Sequence, residues 1–134
     1  MSLVPLASAV PANPLILLVD DHSDLRRTCR AMLAKHLGPV SFIEARDGAH
    51  ALQILVIASK DITLVISDLN MPIVNGEALA KIMKDRYPRL FRHFILITAS
   101  GSPSDFFLEH EIPVVSKFEN DHLRNTVDRM LLRD

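Results

Sequence analysis

The chain has 134 residues, which is room for one packed domain and too little for two. Apolar residues make up 49% and charged residues 23%, an ordinary balance for a globular domain, and a net charge of −1 excludes a field strong enough to gather nucleic acid or an anionic membrane surface. A single cysteine, Cys29, excludes an internal disulfide and fits a reducing compartment. No apolar stretch approaches a membrane span, so a cytoplasmic location is expected.

The opening MSLVPLASAVPANP (1–14) is apolar but has no positive n-region, and Pro5, Pro11 and Pro14 interrupt it. It reads as a disordered leader, in part a cloning remnant, ahead of one domain over 15–134. LILLV (15–19) is a continuous apolar run that stops on acids, as a strand buried on both faces does. The segment after it carries Leu25, Cys29, Met32, Leu33 and His36 on one helical face and closes at Gly38-Pro39. Its Arg26, Arg27 and Arg30 have no interleaved aromatics and read as a solvated helix face. A second strand follows at 40–45 and a second helix after Asp47-Gly48. ITLVIS (62–67) is the third strand and 76–86 the third helix, with Leu79, Ile82 and Met83 on one stripe. HFILIT (93–98) and PVVS (113–116) are the fourth and fifth strands, separated by about two helical turns over 103–110. The last helix shows Leu123, Val127, Met130 and Leu131 at i, i+4, i+7 and i+8 and runs toward Asp134. Five strands alternating with helices predict a parallel, doubly wound α/β sheet with a short helix before the fifth strand.

Such sheets bind ligands beyond the carboxyl ends of their strands, at the switch in strand order. Those ends carry Asp20 and Asp21, Asp68, Thr98 and Lys117. Crowded carboxylates repel and raise one another's pKa unless a cation neutralises them. Hard oxygen donors suit Mg²⁺ rather than zinc or copper, and a Mg²⁺ on one or two carboxylates commonly meets a phosphate. Lys117 and Thr98 offer a positive charge and a hydroxyl to a phosphoryl oxygen, and Asp68 can act as a nucleophile that forms an aspartyl phosphate. Each residue alone has a plainer reading: an aspartate that caps a helix, a threonine that favours a strand, a solvated lysine. Their coincidence at consecutive strand ends points to a site. His22 stands beside the acid pair, yet the six histidines show no ligand spacing for a transition metal.

From Leu15 onward the chain resembles the receiver domains of two-component response regulators, a CheY-like, flavodoxin-like (βα)5 family. LLVDDHSDLR resembles the family's opening acid pair, EARDGAHAL its A-x-x-G-x-x-A-L segment, and DITLVISDLNMPIVNG its D-x-x-M-P-x-x-x-G phosphoacceptor block. ILITAS and VVSKF are similar to the strands that end in the switch threonine and the essential lysine. The resemblance implies that Asp68 takes a phosphoryl group from a sensor histidine kinase or a histidine phosphotransfer protein. It implies that Asp20, Asp21, Asp68 and the backbone carbonyl of Asn70 hold Mg²⁺, and that Thr98 and Lys117 bind the phosphoryl group. It implies a domain that is no enzyme toward external substrates, catalysing only its own phosphorylation and dephosphorylation. Its downstream effector is unknown from sequence, and homodimers are common in the family. Pro72 fixes φ in the turn behind Asp68, and Gly76 lets the chain re-enter a helix without steric cost.

The chain departs from the family in two places. Phe118 follows Lys117 where the family usually has a cis proline, so a trans peptide is expected. The helix between the fourth and fifth strands is shortened, and Val114 stands where an aromatic switch residue is common. Phe106, Phe107 and Phe118 are therefore expected on a partner surface over 103–118. Two other functions share these residues: a phosphorylation-independent interaction module, and a small Mg²⁺-dependent phosphatase working through an aspartyl phosphate. Haloacid-dehalogenase-like phosphatases place D-x-D after the first strand, whereas this chain has adjacent Asp20 and Asp21.

Overall fold

A computed structural model describes residues 11–100 and 102–133 of the chain. β1 (Leu15–Val19) has no polar residue to mark an outer face, and it pairs in parallel with β2 (Ser41–Ala45) on one side and β3 (Leu64–Asp68) on the other. β4 (Phe94–Thr98) extends the sheet from β3, and β5 (Val114–Ser116) closes it, giving the order β2-β1-β3-β4-β5 with every pairing parallel. The order reverses between β1 and β3. The two strands that end in Asp20 and Asp68 are therefore neighbours at the switch point.

Strand alternation sends the apolar side chains to two separate cores. Ile16, Leu18, Leu64, Ile66, Ile95, Ile97 and Val115 meet α1 (Ser23–Leu37) and α6 (Asn120–Leu131). Leu17, Val19, Val65, Phe94 and Leu96 meet α2 (Gly48–Ala58), α3 (Gly76–Arg86), α4 (Pro88–Phe91) and α5 (Asp105–Glu109). Each fully buried Leu, Ile or Phe contributes about 1.5–3 kcal/mol, so two filled layers hold the strand ends in fixed register. Side-chain caps set where α2 and α3 begin: Asp47 accepts from the His50 amide at 2.7 Å, and Asn75 from the Ala78 amide at 2.8 Å.

Several expectations are corrected. Residues 1–10 of the leader lie outside the described residues, but order begins before Leu15: the Pro14 carbonyl accepts from the Ser41 amide at 2.9 Å, and Asn13 reaches the Ser41 hydroxyl at 3.3 Å. α4 is an unforeseen turn of helix, started by a proline in its first turn. α5 is five residues rather than eight, and α6 ends at Leu131. Phe107 is not a surface residue. A helix this short must sink one ring into the core to be held at all, and Phe107 is 1% exposed. Phe106 is half-buried against Phe91 and the His110 ring, with Lys81 over its face at 5.5 Å. Of the three phenylalanines, Phe118 alone is open to solvent, at 74%.

Gly76 starts α3 against the end of β3, where an added Cβ would lie 2.3 Å from the Asp68 carbonyl oxygen. Backbone cannot yield as a flexible side-chain tip can. Gly38, by contrast, ends α1 at φ +76° with open space around it. Gly76→Ala is expected to lower stability by more than ~4 kcal/mol in urea titrations, or to leave no folded protein, whereas Gly38→Ala, strained at φ +76° but free of any clash, costs about 1–3 kcal/mol. Equal losses would show that the close approach at Gly76 does not constrain the fold.

Candidate functional site

The site lies where β1, β3, β4 and β5 end. Asp68 is the last residue of β3, directly beside Ile97 of β4, and is 2% exposed. Asp20 follows β1 and is 3% exposed, with its amide bonded to the Ala45 carbonyl at 3.1 Å. Two carboxylates at adjacent strand ends in a dry setting need a cation, and Lys117 supplies it. Its Nζ lies 3.0 Å from Asp20 Oδ2 and 3.2 Å from Asp68 Oδ2, with all three side chains nearly buried.

The backbone delivers that amine. The Lys117 amide donates to the Thr98 carbonyl at 3.0 Å, extending the β4–β5 ladder by one residue past Ser116. The described residues contain no cis peptide, so Lys117 reaches both acids from a trans bond to Phe118. Burial works against the ammonium, but hydrogen bonding and charge attraction to Asp20, and then to Asp68, outweigh it and hold Lys117 above its ordinary pKa. Burial also pushes the Asp68 carboxyl above its ordinary value, and the Asp20 charge pushes the same way. Lys117 and the Asn70 amide, 3.4 Å from Asp68 Oδ1, pull it back without cancelling the rise.

The acidic rim is completed by Asp21 and His22. His22 Nδ1 lies 3.0 Å from Asp21 Oδ1 and 3.3 Å from Asp20 Oδ1, while the His22 amide donates to the same Asp20 oxygen at 2.9 Å. One carboxylate oxygen each from Asp20, Asp21 and Asp68, together with a His22 ring nitrogen, all fall within 4.8 Å of one another. Three carboxylates offset by one ammonium leave a net negative, oxygen-rich donor set, which fits a divalent cation. Thr98 is brought to the same edge and is 8% exposed, but its hydroxyl donates to the Ser100 carbonyl at 2.7 Å and so is engaged away from Asp68.

Behind Asp68 the turn is tighter than its sequence suggests. The Val74 amide donates to the Pro72 carbonyl at 2.7 Å across Ile73, which is held at φ +66° and is 93% exposed. This is a γ-turn with a β-branched residue at its centre, a rare and strained choice. The loop is held from two sides. Gly76 abuts the Asp68 carbonyl, and a Cβ on Gly48 would come within 2.2 Å of the Val74 carbonyl oxygen. Gly76 therefore acts through its missing side chain, and Pro72 through the carbonyl it presents to the turn. The importance of Gly48 was visible only as the glycine of A-x-x-G.

Arg26 is a second residue that spacing did not single out. Its Nη1 donates to the Asp20 carbonyl and its Nε to Glu44 Oε1 at 3.1 Å, while Arg30 holds the other Glu44 oxygen at 2.9 Å. Burial works against the Glu44 charge, but bonds to Arg30 and Arg26 outweigh it and hold the carboxyl below its ordinary value. The basic helix face thus braces β2 and the backbone of Asp20. Cys29 lines a cavity of about 60 Å³ beneath Asp20 and Lys117. Burial, and then the Asp20 charge, push its thiol up to about 12, so it is no nucleophile at neutral pH.

A doubly wound parallel sheet with an acid-and-lysine site at its switch point defines the class of this protein. Comparison with known proteins is specific. Residues 16–111 match the family model described as "Response regulator receiver domain". The chain is 36% identical over 92 residues to Chemotaxis protein CheY1 of Helicobacter pylori strain J99, covering 67% of this chain and 71% of that protein. It is 30% identical over 111 residues to Sensor histidine kinase TmoS of Ectopseudomonas mendocina, a match that spans 83% of this chain but only 10% of TmoS. The structure aligns with the signal receiver domain of an HD domain-containing protein from Pseudomonas fluorescens Pf-5 at a TM-score of 0.76 and 29% identity, covering 89% of this chain and 94% of that one. The chain belongs to the response regulator receiver domains of two-component signalling.

The raised Asp68 pKa has a consequence for stability. An acid whose pKa is higher folded than unfolded binds protons more tightly in the native state, so its charge costs stability above the folded pKa, and that cost fades as pH falls past the ordinary value of 3.8. In EDTA, Asp68→Asn is therefore expected to melt at a higher temperature than the wild type at pH 7, with the gap closing toward pH 3.5. A lower melting temperature at pH 7 would show that Lys117 more than compensates the buried charge.

Proposed function

We propose that this receiver domain is a phosphorylation-controlled switch, with Asp68 as phosphoacceptor and Mg²⁺ as cofactor. The observation that supports it best is the Lys117 ammonium shared by two nearly buried acids, Asp20 and Asp68, at the switch point of the sheet. The donor would be a phosphohistidine on a sensor kinase or phosphotransfer protein. An oxygen of Asp68 attacks phosphorus and forms the O–P bond, the N–P bond breaks, and the leaving imidazole takes a proton from water.

Asp20, Asp21, Asp68 and the Asn70 carbonyl would hold the Mg²⁺, which supplies charge neutralisation at the phosphoryl oxygens. Lys117 exchanges its contact with the Asp68 carboxylate for one with a phosphoryl oxygen, keeping the charge balance as a dianion arrives. Thr98 gives up the Ser100 carbonyl to donate its hydroxyl to the phosphoryl group. That exchange alters the segment after β4 and with it the surface near α5 and β5, which is the output. The domain acts on no external substrate; its chemistry is its own phosphorylation and hydrolysis. No helix among the described residues is long and apolar enough to cross a membrane.

The test is intact mass after incubation with acetyl phosphate. A gain of one phosphoryl group is expected with Mg²⁺, and none in EDTA or in Asp68→Asn. If beryllofluoride with Mg²⁺ also fails to bind, the domain works without phosphate. Sustained turnover of an external phosphate ester would make it a phosphatase.

A further inference from the structure

Among the described residues His22 is the one imidazole at the acidic rim, and its place is fixed by backbone rather than chance. It caps α1 at φ −100° and ψ 106°, and its amide is tied to Asp20 Oδ1 at 2.9 Å. That bond curls the chain back so that the ring nitrogen nearest the backbone faces the two rim carboxylates. Its distances to Asp21 Oδ1 and Asp20 Oδ1 are 3.0 and 3.3 Å. An ion with bonds of ~2.1 Å in octahedral geometry spaces neighbouring donors ~3.0 Å apart. The ring nitrogen thus already stands from each rim carboxylate at about the separation of adjacent ligands on one cation, and Asp68 supplies an oxygen inside the same 4.8 Å cluster.

We infer that His22 Nδ1 is a protein ligand of the divalent-cation site, so that this receiver accepts nitrogen-binding ions such as Mn²⁺, Co²⁺ and Zn²⁺ far better than an all-oxygen site would. The inference rests on the reading that Asp20, Asp21 and Asp68 hold a cation, and adds a fourth residue and a selectivity to it. Mg²⁺ prefers oxygen donors and keeps its waters, so it gains little from an imidazole. Along the series from Mn²⁺ to Co²⁺ a nitrogen ligand contributes progressively more. The imidazole side chain is 63% exposed. It can move the few tenths of an ångström that a bond requires without disturbing either core, and it can be removed without harm to folding.

The experiment is isothermal titration of the intact, ion-free protein with MgCl₂ and with CoCl₂, in wild type, His22→Ala and Asp21→Asn. ZnCl₂ titration of ¹⁵N-histidine-labelled protein reports the ring nitrogens directly. Wild type is expected to bind Co²⁺ more tightly than Mg²⁺. His22→Ala is expected to lose at least ~10-fold in Co²⁺ affinity while its Mg²⁺ affinity stays within about twofold. The His22 Nδ1 resonance is expected to shift on Zn²⁺ binding. Unchanged Co²⁺ affinity in His22→Ala, with Asp21→Asn weakened for both ions, would overturn the role of His22 and leave the acid site standing. If neither ion binds the wild type, the cation site itself fails, and the inference with it.

Discussion

Two carboxylates at neighbouring strand ends, each nearly out of water, set the condition to which the rest of this structure responds. Asp20 and Asp68 repel each other where solvent cannot screen them, and Lys117 is the buried cation that touches both. Deleting the lysine would leave two carboxylates buried without their cation, a loss that typically costs ~3–5 kcal/mol. The pull of the lysine leaves Asp68 still above its ordinary pKa, so the resting site is only partly neutralised. In the proposed function, that residual imbalance is what a divalent ion, and then a phosphoryl group, would exploit. A fully satisfied site would have no reason to bind either.

The surrounding architecture delivers those three groups and keeps them from drifting apart. Parallel pairing places the ends of β1 and β3 side by side, and the ladder from Thr98 to Lys117 fixes the start of the lysine's reach. Gly48 and Gly76 let α2 and the loop behind Asp68 close to distances that no side chain would permit. Arg26 ties the Asp20 carbonyl to Glu44 on β2. Beside the site, backbone strain falls in the exposed turn at Ile73, where the loop is pulled tight between these anchors. Rigid packing beneath and a strained, exposed rim above suits the proposed exchange with a protein phosphodonor.

Much of this was legible in the chain. Runs such as LILLV and FILI carry no polar residue to mark an outer face, as the strands of a doubly covered parallel sheet do, and topology then gathers Asp20, Asp21, Asp68, Thr98 and Lys117 on one edge. The remainder depended on contacts between residues far apart or on local geometry without a composition signal. The partnership of Arg26 with Glu44 spans 18 residues and two elements. His22 stands beside the acid pair in sequence without any ligand spacing among the histidines, and it is the turn that caps α1 that brings its ring to the acids. The expectation that Phe107 faces a partner failed because α5 is shorter than its sequence suggested and needs that ring as its anchor. The lysine, by contrast, reaches its acids although the proline usual in the family is replaced by Phe118.

Lys117 restrains a buried carboxylate that would otherwise hold its proton still more tightly. The most direct measurement is the Asp68 pKa, followed through its ¹³C carboxyl resonance during pH titration in EDTA, in wild type and in Lys117→Met. A wild-type value above 3.8 and a further rise in the variant are expected, as burial and the Asp20 charge act without the lysine. An unchanged or lower pKa in Lys117→Met would contradict this, because the amine would then not be what balances the site.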